Sequence, residues 1–161
     1  MKKYQQQFEY DVYDDQTSLS AADAALLQIA RDVTQHAYAP YSHFRVGAAA
    51  RLVNGETITG TNQENASFPV GICAERVALS TASSLYPEVA IDTIAISYHN
   101  LEGESNKPIS PCGICRQTLA EYEQRLHRPI RLVLGGLQGK VFVLQTASHL
   151  LPLSFSSNDM G

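Results

Sequence analysis

Residues 73–98 read CAERVALSTASSLYPEVAIDTIAISY, and the class of fold turns on them. From Cys73 to Leu85 the run is rich in Ala and Leu and predicts a helix with Val77, Leu79, Ala82 and Leu85 inward. Pro87 ends it, because its ring cannot continue the hydrogen-bond ladder. Ile91 to Tyr98 then has the length and apolar, β-branched character of a strand. A helix feeding directly into a strand is one arm of a crossover unit.

The same grammar extends outward on both sides. Upstream, Val46 to Val53 is small and apolar, Asn54-Gly55 is a strong hairpin signal, and Glu56 to Thr61 continues as a second strand. Before that hairpin, Ser20-Ala21-Ala22-Asp23 resembles a capping box. Leu26, Ala30, Val33 and Ala37 then recur at helical spacing until Ala39-Pro40. Downstream, the polar stretch His99 to Lys107 reads as a loop, and Cys112 to Arg125 as a helix with Leu119 and Tyr122 on one side. Ile130 to Leu134 and Lys140 to Leu144 are strands joined at Gly135-Gly136, and Thr146 to Leu151 is a short closing helix. The order predicts one α/β domain: a mixed sheet covered by helices, antiparallel at its first hairpin and parallel where strand, helix and strand alternate. Residues 1–19, lacking a helical stripe, are set apart as an N-terminal arm; residues 20–161 form the domain proper.

Composition sets the outer limits. With 161 residues, 44% hydrophobic and 17% charged, the chain has the make-up of a folded domain, not of a disordered one. Twelve Lys and Arg against sixteen Asp and Glu leave a net charge of −4, which argues against a grip on long nucleic acid. The start, Met1-Lys2-Lys3-Tyr4-Gln5-Gln6-Gln7, has no apolar run behind its basic pair, so neither a secretory signal nor a membrane anchor is expected and the cytoplasm is the default compartment.

Only three cysteines occur, and Cys112-Gly113-Ile114-Cys115 suits metal or redox chemistry better than a disulfide framework. A catalytic zinc takes three protein ligands and keeps a fourth position for water; Cys73, Cys112 and Cys115 supply three thiolates. Each lies at a predicted helix start, where the backbone amides favour the ionised sulfur. Glu75, two residues beyond Cys73, is placed to reach a water on that metal. Such a water ionises near pH ~7, and a neighbouring carboxylate can take its proton and return it to a leaving group. On its own, the Cys-x-x-Cys pair fits equally a structural zinc clip or a redox dithiol, and Cys73 a packed core thiol.

Ile72-Cys73-Ala74-Glu75-Arg76 and Pro111-Cys112-Gly113-Ile114-Cys115-Arg116-Gln117 resemble the zinc nucleoside and nucleobase deaminases, with a cysteine where the general pattern has a histidine. That variant, together with Asn62-Gln63-Glu64-Asn65-Ala66, is similar to the small homotetrameric cytidine deaminases, from about Tyr38 to Phe155. The resemblance implies a three-layer fold with a central mixed five-stranded sheet covered by helices. It implies hydrolysis of cytidine and 2′-deoxycytidine to the uridines, in pyrimidine salvage, with one Zn²⁺ per subunit on Cys73, Cys112 and Cys115 and Glu75 as proton shuttle. It also places Asn62 and Glu64 on the sugar hydroxyls, Phe44 against the nucleoside and the Ala74 backbone at the pyrimidine edge. Phe155 would reach the base from a neighbouring subunit of a homotetramer with shared active sites.

Three thiolates on a divalent ion sum to −1, so Arg76 is expected to hydrogen-bond the sulfurs and offset that charge; otherwise it is a solvated surface arginine. Tyr38, Tyr41 and Phe68 are expected in the core or an interface. Three competing readings remain at this point: a deaminase of a cytosine-bearing nucleoside antibiotic, an editing deaminase of RNA or DNA strands, and a non-enzymatic zinc module closed by a histidine. A dithiol redox protein would leave Cys73 and Glu75 without a role.

Overall fold

The structure is a computed structural model that describes residues 1–161. Its elements run β1 (Asp11–Tyr13), α1 (Ala21–Val33), β2 (Phe44–Leu52), β3 (Thr57–Thr61), α2 (Ala74–Leu85), β4 (Ile91–Asn100), α3 (Gly113–Arg125), β5 (Arg131–Gly135) and β6 (Val141–Leu144). One mixed sheet has the order β1-β6-β5-β4-β2-β3. Only β4 and β5 pair in parallel, across the α3 crossover; the remaining pairs are antiparallel. The α/β class, the initial hairpin and the later parallel pair follow the sequence expectation.

The sheet has six strands, not five. The sixth comes from the arm, where Asp11, Val12 and Tyr13 pair with Val143, Phe142 and Val141 at the sheet edge. Three residues are too few to show alternation, so their pairing is set by β6 rather than by their own pattern. The closing helix is also smaller than expected, a single 3-10 turn over Ala147–Leu150. No helix is long and apolar enough to cross a membrane.

Period-two alternation sorts the core onto two faces. Ala49, Ala95, Val133 and Val143 face α1, meeting Leu26, Leu27 and Ala30. Ala48, Ala50, Ile94, Ile96, Leu132 and Leu134 face the other way, toward Ala78 and Leu79 of α2 and Leu119 of α3. The result is three layers, with the first turns of α2 and α3 on one side of the sheet. Glycine permits the closest approach: a Cβ on Gly60 would lie 2.4 Å from both the Ala74 oxygen and the Ala78 nitrogen, and one on Gly47 would lie 2.1 Å from the Ala30 oxygen. Each helix therefore seats directly on strand backbone.

On α2 Leu79 and Ala82 are buried as the sequence reading expects, joined by Ala74, Glu75 and Ala78, but Val77 is only half-buried and Leu85 in the last turn is 62% exposed. Ala74 and Ala78 are the residues that meet the bare backbone of Gly60. The expected capping box at Ser20 forms by half: Ser20 Oγ accepts from the Asp23 amide, but the Asp23 carboxylate accepts from Arg131 instead.

Candidate active site

Two chain segments converge where α2 and α3 begin. Cys73 is the residue before α2, Cys112 the residue before α3, and Cys115 sits in the first turn of α3, buried. Their Sγ atoms all lie within 4.8 Å of one another, with Cys73–Cys112 at 3.7 Å and Cys112–Cys115 at 3.4 Å. Sulfurs held ~2.3 Å from a tetrahedral zinc stand about 3.8 Å apart, so this donor set fits the ion. No histidine, aspartate or glutamate ligand atom completes the group, which makes it a three-ligand site rather than a closed structural clip.

Electrostatics point the same way. The Cys73 thiol is drawn down to about 6, first by its hydrogen bond with Cys115, then by Cys112 and the Arg76 charge, against burial and Glu75. The Cys73 sulfur and burial push the Cys115 thiol up. Sulfurs this close cannot all ionise unaided, and a divalent cation among them removes the repulsion.

Glu75, in the first turn of α2, is only 5% exposed. Burial pushes its carboxyl above the ordinary carboxylate range, with its own backbone amide and Cys115 opposing. A carboxyl so placed holds and releases a proton closer to neutrality than a solvated one. Arg76 is half-buried and donates no hydrogen bond to a sulfur; its positive charge acts on Cys73 at longer range. Ala74 is fully buried, pressed against Gly60.

The other expected residues gather on the segment 41–46. Asn62 Oδ1 accepts from the Val46 amide at 2.7 Å, and its Nδ2 donates to the Phe44 carbonyl at 2.9 Å. One lone pair and one N–H of that amide stay available. Glu64 Oε2 accepts from the Tyr41 and Ser42 amides at 2.9 and 3.3 Å. Burial opposes ionisation there, and these bonds outweigh it, so the carboxyl sits below its usual range. Tyr41, Ser42, Glu64, Asn65, Phe68 and Gly71 line a cavity of about 410 Å³.

Phe44 stacks on Tyr98, ring centroids 4.8 Å apart, and the two rings form one wall of a further cavity. Phe155 stands apart from these residues: its ring is 61% exposed, and its carbonyl accepts from Gln117 Nε2 at 2.9 Å. Tyr38, Tyr41 and Phe68 are exposed, not core, and Tyr41 meets Phe68 edge-on at 5.9 Å.

Sequence reasoning gave Tyr98, Gln117 and Glu123 no part beyond their strand or helix, and set Arg116 behind Arg76 as a partner for the sulfurs. Arg116 Nε donates to the Pro111 carbonyl at 2.8 Å and Nη1 to the Leu150 carbonyl at 3.3 Å, tying the approach to Cys112 down. The buried Glu123 carboxylate accepts from Ile130 N, Thr146 Oγ1, Ala147 N and Ser148 N. The string Pro111 to Gln117 contained two of these residues, but their partners lie far along the chain.

The comparisons with known proteins match this arrangement. Residues 20–127 match the family model for the cytidine and deoxycytidylate deaminase zinc-binding region. The chain belongs to the cytidine and deoxycytidylate deaminase family. A cytidine deaminase of Halalkalibacterium halodurans is 40% identical over 135 residues, covering 84% of this chain and 95% of that one. A blasticidin-S deaminase of Bacillus cereus is 32% identical over 88% of this chain and 97% of its own length. Among solved structures, the 1.6 Å crystal structure of cytidine deaminase from Burkholderia pseudomallei superposes with a TM-score of 0.72 at 37% identity, covering 85% of this chain and 100% of that one. The cysteine cluster and the zinc-binding region of the deaminase family together fit one zinc per subunit.

Proposed function

We propose that this chain hydrolytically deaminates cytidine and 2′-deoxycytidine to the corresponding uridines, releasing ammonia, as a step of pyrimidine salvage. The observation that carries it is the meeting of Cys73, Cys112 and Cys115 within 4.8 Å, beside the buried Glu75, in a deaminase-family chain. Cys73, Cys112 and Cys115 would hold the zinc, which when bound supplies a Lewis acid that makes water a nucleophile near neutral pH.

The chain's own residues do the rest. Glu75 takes one proton from the attacking water and passes it to ring nitrogen N3 as the C4–O bond forms; it then takes the second proton from the C4 hydroxyl and passes it to the amine, so that the C4–N bond breaks and ammonia leaves. Its raised pKa suits a group that must both accept and give. Asn62 and Glu64 hold the sugar hydroxyls, since an amide and a carboxylate are natural partners for a diol. Phe44, steadied by Tyr98, packs against the nucleoside, and the Ala74 backbone at the start of α2 meets the pyrimidine edge. Arg76 supplies positive charge near the thiolates.

Residues 20–161 are read as the catalytic unit and residues 1–19 as an arm that lends Asp11–Tyr13 to the sheet edge. We assign a homotetramer with shared active sites, in which Phe155 stacks on the base held by a neighbouring subunit. The exposed rings of Tyr38, Tyr41, Phe68 and Phe155 support that assignment. The substrate is a small nucleoside rather than a nucleic acid strand, in keeping with the net charge of −4, and the compartment is the cytoplasm.

The test is direct. Zinc per subunit and the loss of cytidine absorbance are measured for the native chain and for Glu75→Ala. One zinc in each, with turnover abolished in the variant, is expected. Full activity in Glu75→Ala removes Glu75 from the reaction. A panel containing blasticidin S discriminates the second reading, which the Bacillus cereus relative brings into view: turnover of that compound without cytidine turnover would reverse the order.

A further inference from the structure

The helix that carries two of the three cysteines also fastens the C-terminal segment, at two successive residues. Arg116 holds the Leu150 carbonyl and Gln117 holds the Phe155 carbonyl, at 3.3 and 2.9 Å. Between these points the chain turns sharply: Leu153 adopts φ +56°, a left-handed conformation unfavourable for a branched residue, while its side chain is 98% exposed. Leu153 therefore gains no burial for its unfavourable backbone. The turn instead returns the chain to α3 and sets Phe155 down beside Gln117.

Phe155 needs such a hold. Its ring is exposed and stacks on no other aromatic ring of the chain. The residues after it close a local turn at Ser157–Met160, capped by a reciprocal Ser156–Asp159 pair, which orders the tail internally without tying it to the domain. The Gln117 side chain is thus the hydrogen-bonded tie between residue 155 and the helix on which Cys112 and Cys115 are mounted.

We propose that Gln117 is a positioning residue that fixes the Phe155 ring for stacking on the pyrimidine base. The proposal rests on the deaminase reading and deepens it by assigning how the stacking aromatic is registered to the metal-bearing helix. The Gln117 side chain donates to the Phe155 carbonyl, and it acts through the backbone of residue 155. A hydrogen bond of this kind is worth about three- to tenfold in an equilibrium constant.

The full zinc-loaded chain tests it with Gln117→Glu, which keeps the shape but loses the donor, and Gln117→Arg, which restores an N–H of similar reach. Gln117→Glu should raise KM for cytidine about three- to tenfold with kcat and zinc content unchanged, and Gln117→Arg should recover most of the loss. On a Phe155→Ala background Gln117→Glu should change nothing further, because the ring it positions is gone. Additive effects in that double variant, or a KM that Gln117→Glu leaves unmoved, overturn the proposal. The sequence contains no tryptophan, so Phe155→Trp gives a single emission reporter at the position. Its anisotropy should fall when Gln117→Glu is added, and an unchanged anisotropy counts against the tie. This readout is independent of turnover: a chain in which Gln117 immobilises residue 155 but cytidine is untouched would sink the substrate reading and spare the tie.

Discussion

The sulfurs of Cys73 and Cys112 stand 3.7 Å apart although 39 positions separate them. Each is the residue immediately before a helix, so the question of how they meet becomes one of how two helices are seated. The sheet answers it on one side: α2 rests on the bare backbone of Gly60, where any side chain would collide with Ala74 and Ala78. Hydrogen bonds answer it on the other, where Arg116 ties Pro111 to Leu150 and Glu123 ties the far end of α3 to residues 130 and 146–148. The metal-binding geometry is therefore largely set by the packing of the chain before any ion arrives.

Removal of the metal should uncouple folding from activity. A chelated chain is expected to stay folded with its secondary structure intact, to lose turnover, and to melt at lower temperature. Returned zinc at a hundred times its dissociation constant should add about 2.7 kcal/mol of stability by mass action. Cys73→Ala should bind less than one zinc per subunit and show a smaller zinc-dependent rise in melting temperature. Circular dichroism melts with and without added zinc check both; full zinc binding by Cys73→Ala would take that residue out of the ligand set.

Gly60→Ala probes the seat of α2. The added methyl has nowhere to go, since backbone atoms lie 2.4 Å from where it would stand, and overpacking against a rigid neighbour costs about 1–3 kcal/mol. A shift of α2 also moves Cys73, so zinc affinity should fall along with the urea midpoint. Gly55→Ala is the control for a general loss of glycine, because nothing lies within 4 Å of that position and only its own backbone conformation is strained. Equal zinc affinity in the two variants would show that the close approach at Gly60 does not position Cys73.

Much of this was legible from the residues in order. Hairpin, crossover and helix starts were readable because Asn54-Gly55, Pro87 and Pro111 act locally, and the three cysteines announced themselves by spacing and position. What stayed hidden depended on distant partners. The strand Asp11–Tyr13 has no pattern of its own and is specified by β6. Asp23 reads as a capping residue, yet its carboxylate is claimed by Arg131, 108 positions away. Glu123 carries no signal in the sequence beyond its place in a helix, and its burial becomes intelligible only once the four donors that converge on it are known. Arg76 was expected to bond the sulfurs because a −1 site needs compensation; it donates no hydrogen bond to them, and its positive charge acts on Cys73 at longer range.

His43 and Glu102 form an exposed ion pair that links the segment before Phe44 to the loop after β4. The Glu102 hydrogen bond and charge, with smaller help from the Pro40 carbonyl and Glu64, raise the His43 pKa against a little desolvation. A raised folded-state value means the pair helps the native state below the unfolded pKa of ~6.5 and stops helping as pH rises through the folded value. NMR titration should place His43 above ~6.5 in the native chain and lower in Glu102→Gln, where only the Pro40 carbonyl and Glu64 remain to favour the cation. A titration that is the same in both chains would dissolve the pair as a solution contact.

Asp23 offers the opposite sign. Burial works against its ionisation, but two hydrogen bonds from Arg131 at 3.0 and 3.2 Å, with Ser20 and Arg51 behind them, hold its pKa below the usual range. A depressed folded-state value contributes stability above the unfolded pKa of ~3.9, and that contribution disappears as pH falls through the folded value. Asp23→Asn should therefore cost about 1–2 kcal/mol at pH ~7, a figure kept modest because Arg131 and Arg51 remain partly solvated. Asp92 is depressed as well, so both chains weaken in acid, and the diagnostic quantity is the gap between them. Urea midpoints taken from pH ~7 to pH ~3 should show that gap narrowing, because a protonated aspartic acid and an asparagine are nearly equivalent partners for arginine. A gap that stays constant across that range would mean the substitution acts through packing at the start of α1 and not through the charge of Asp23.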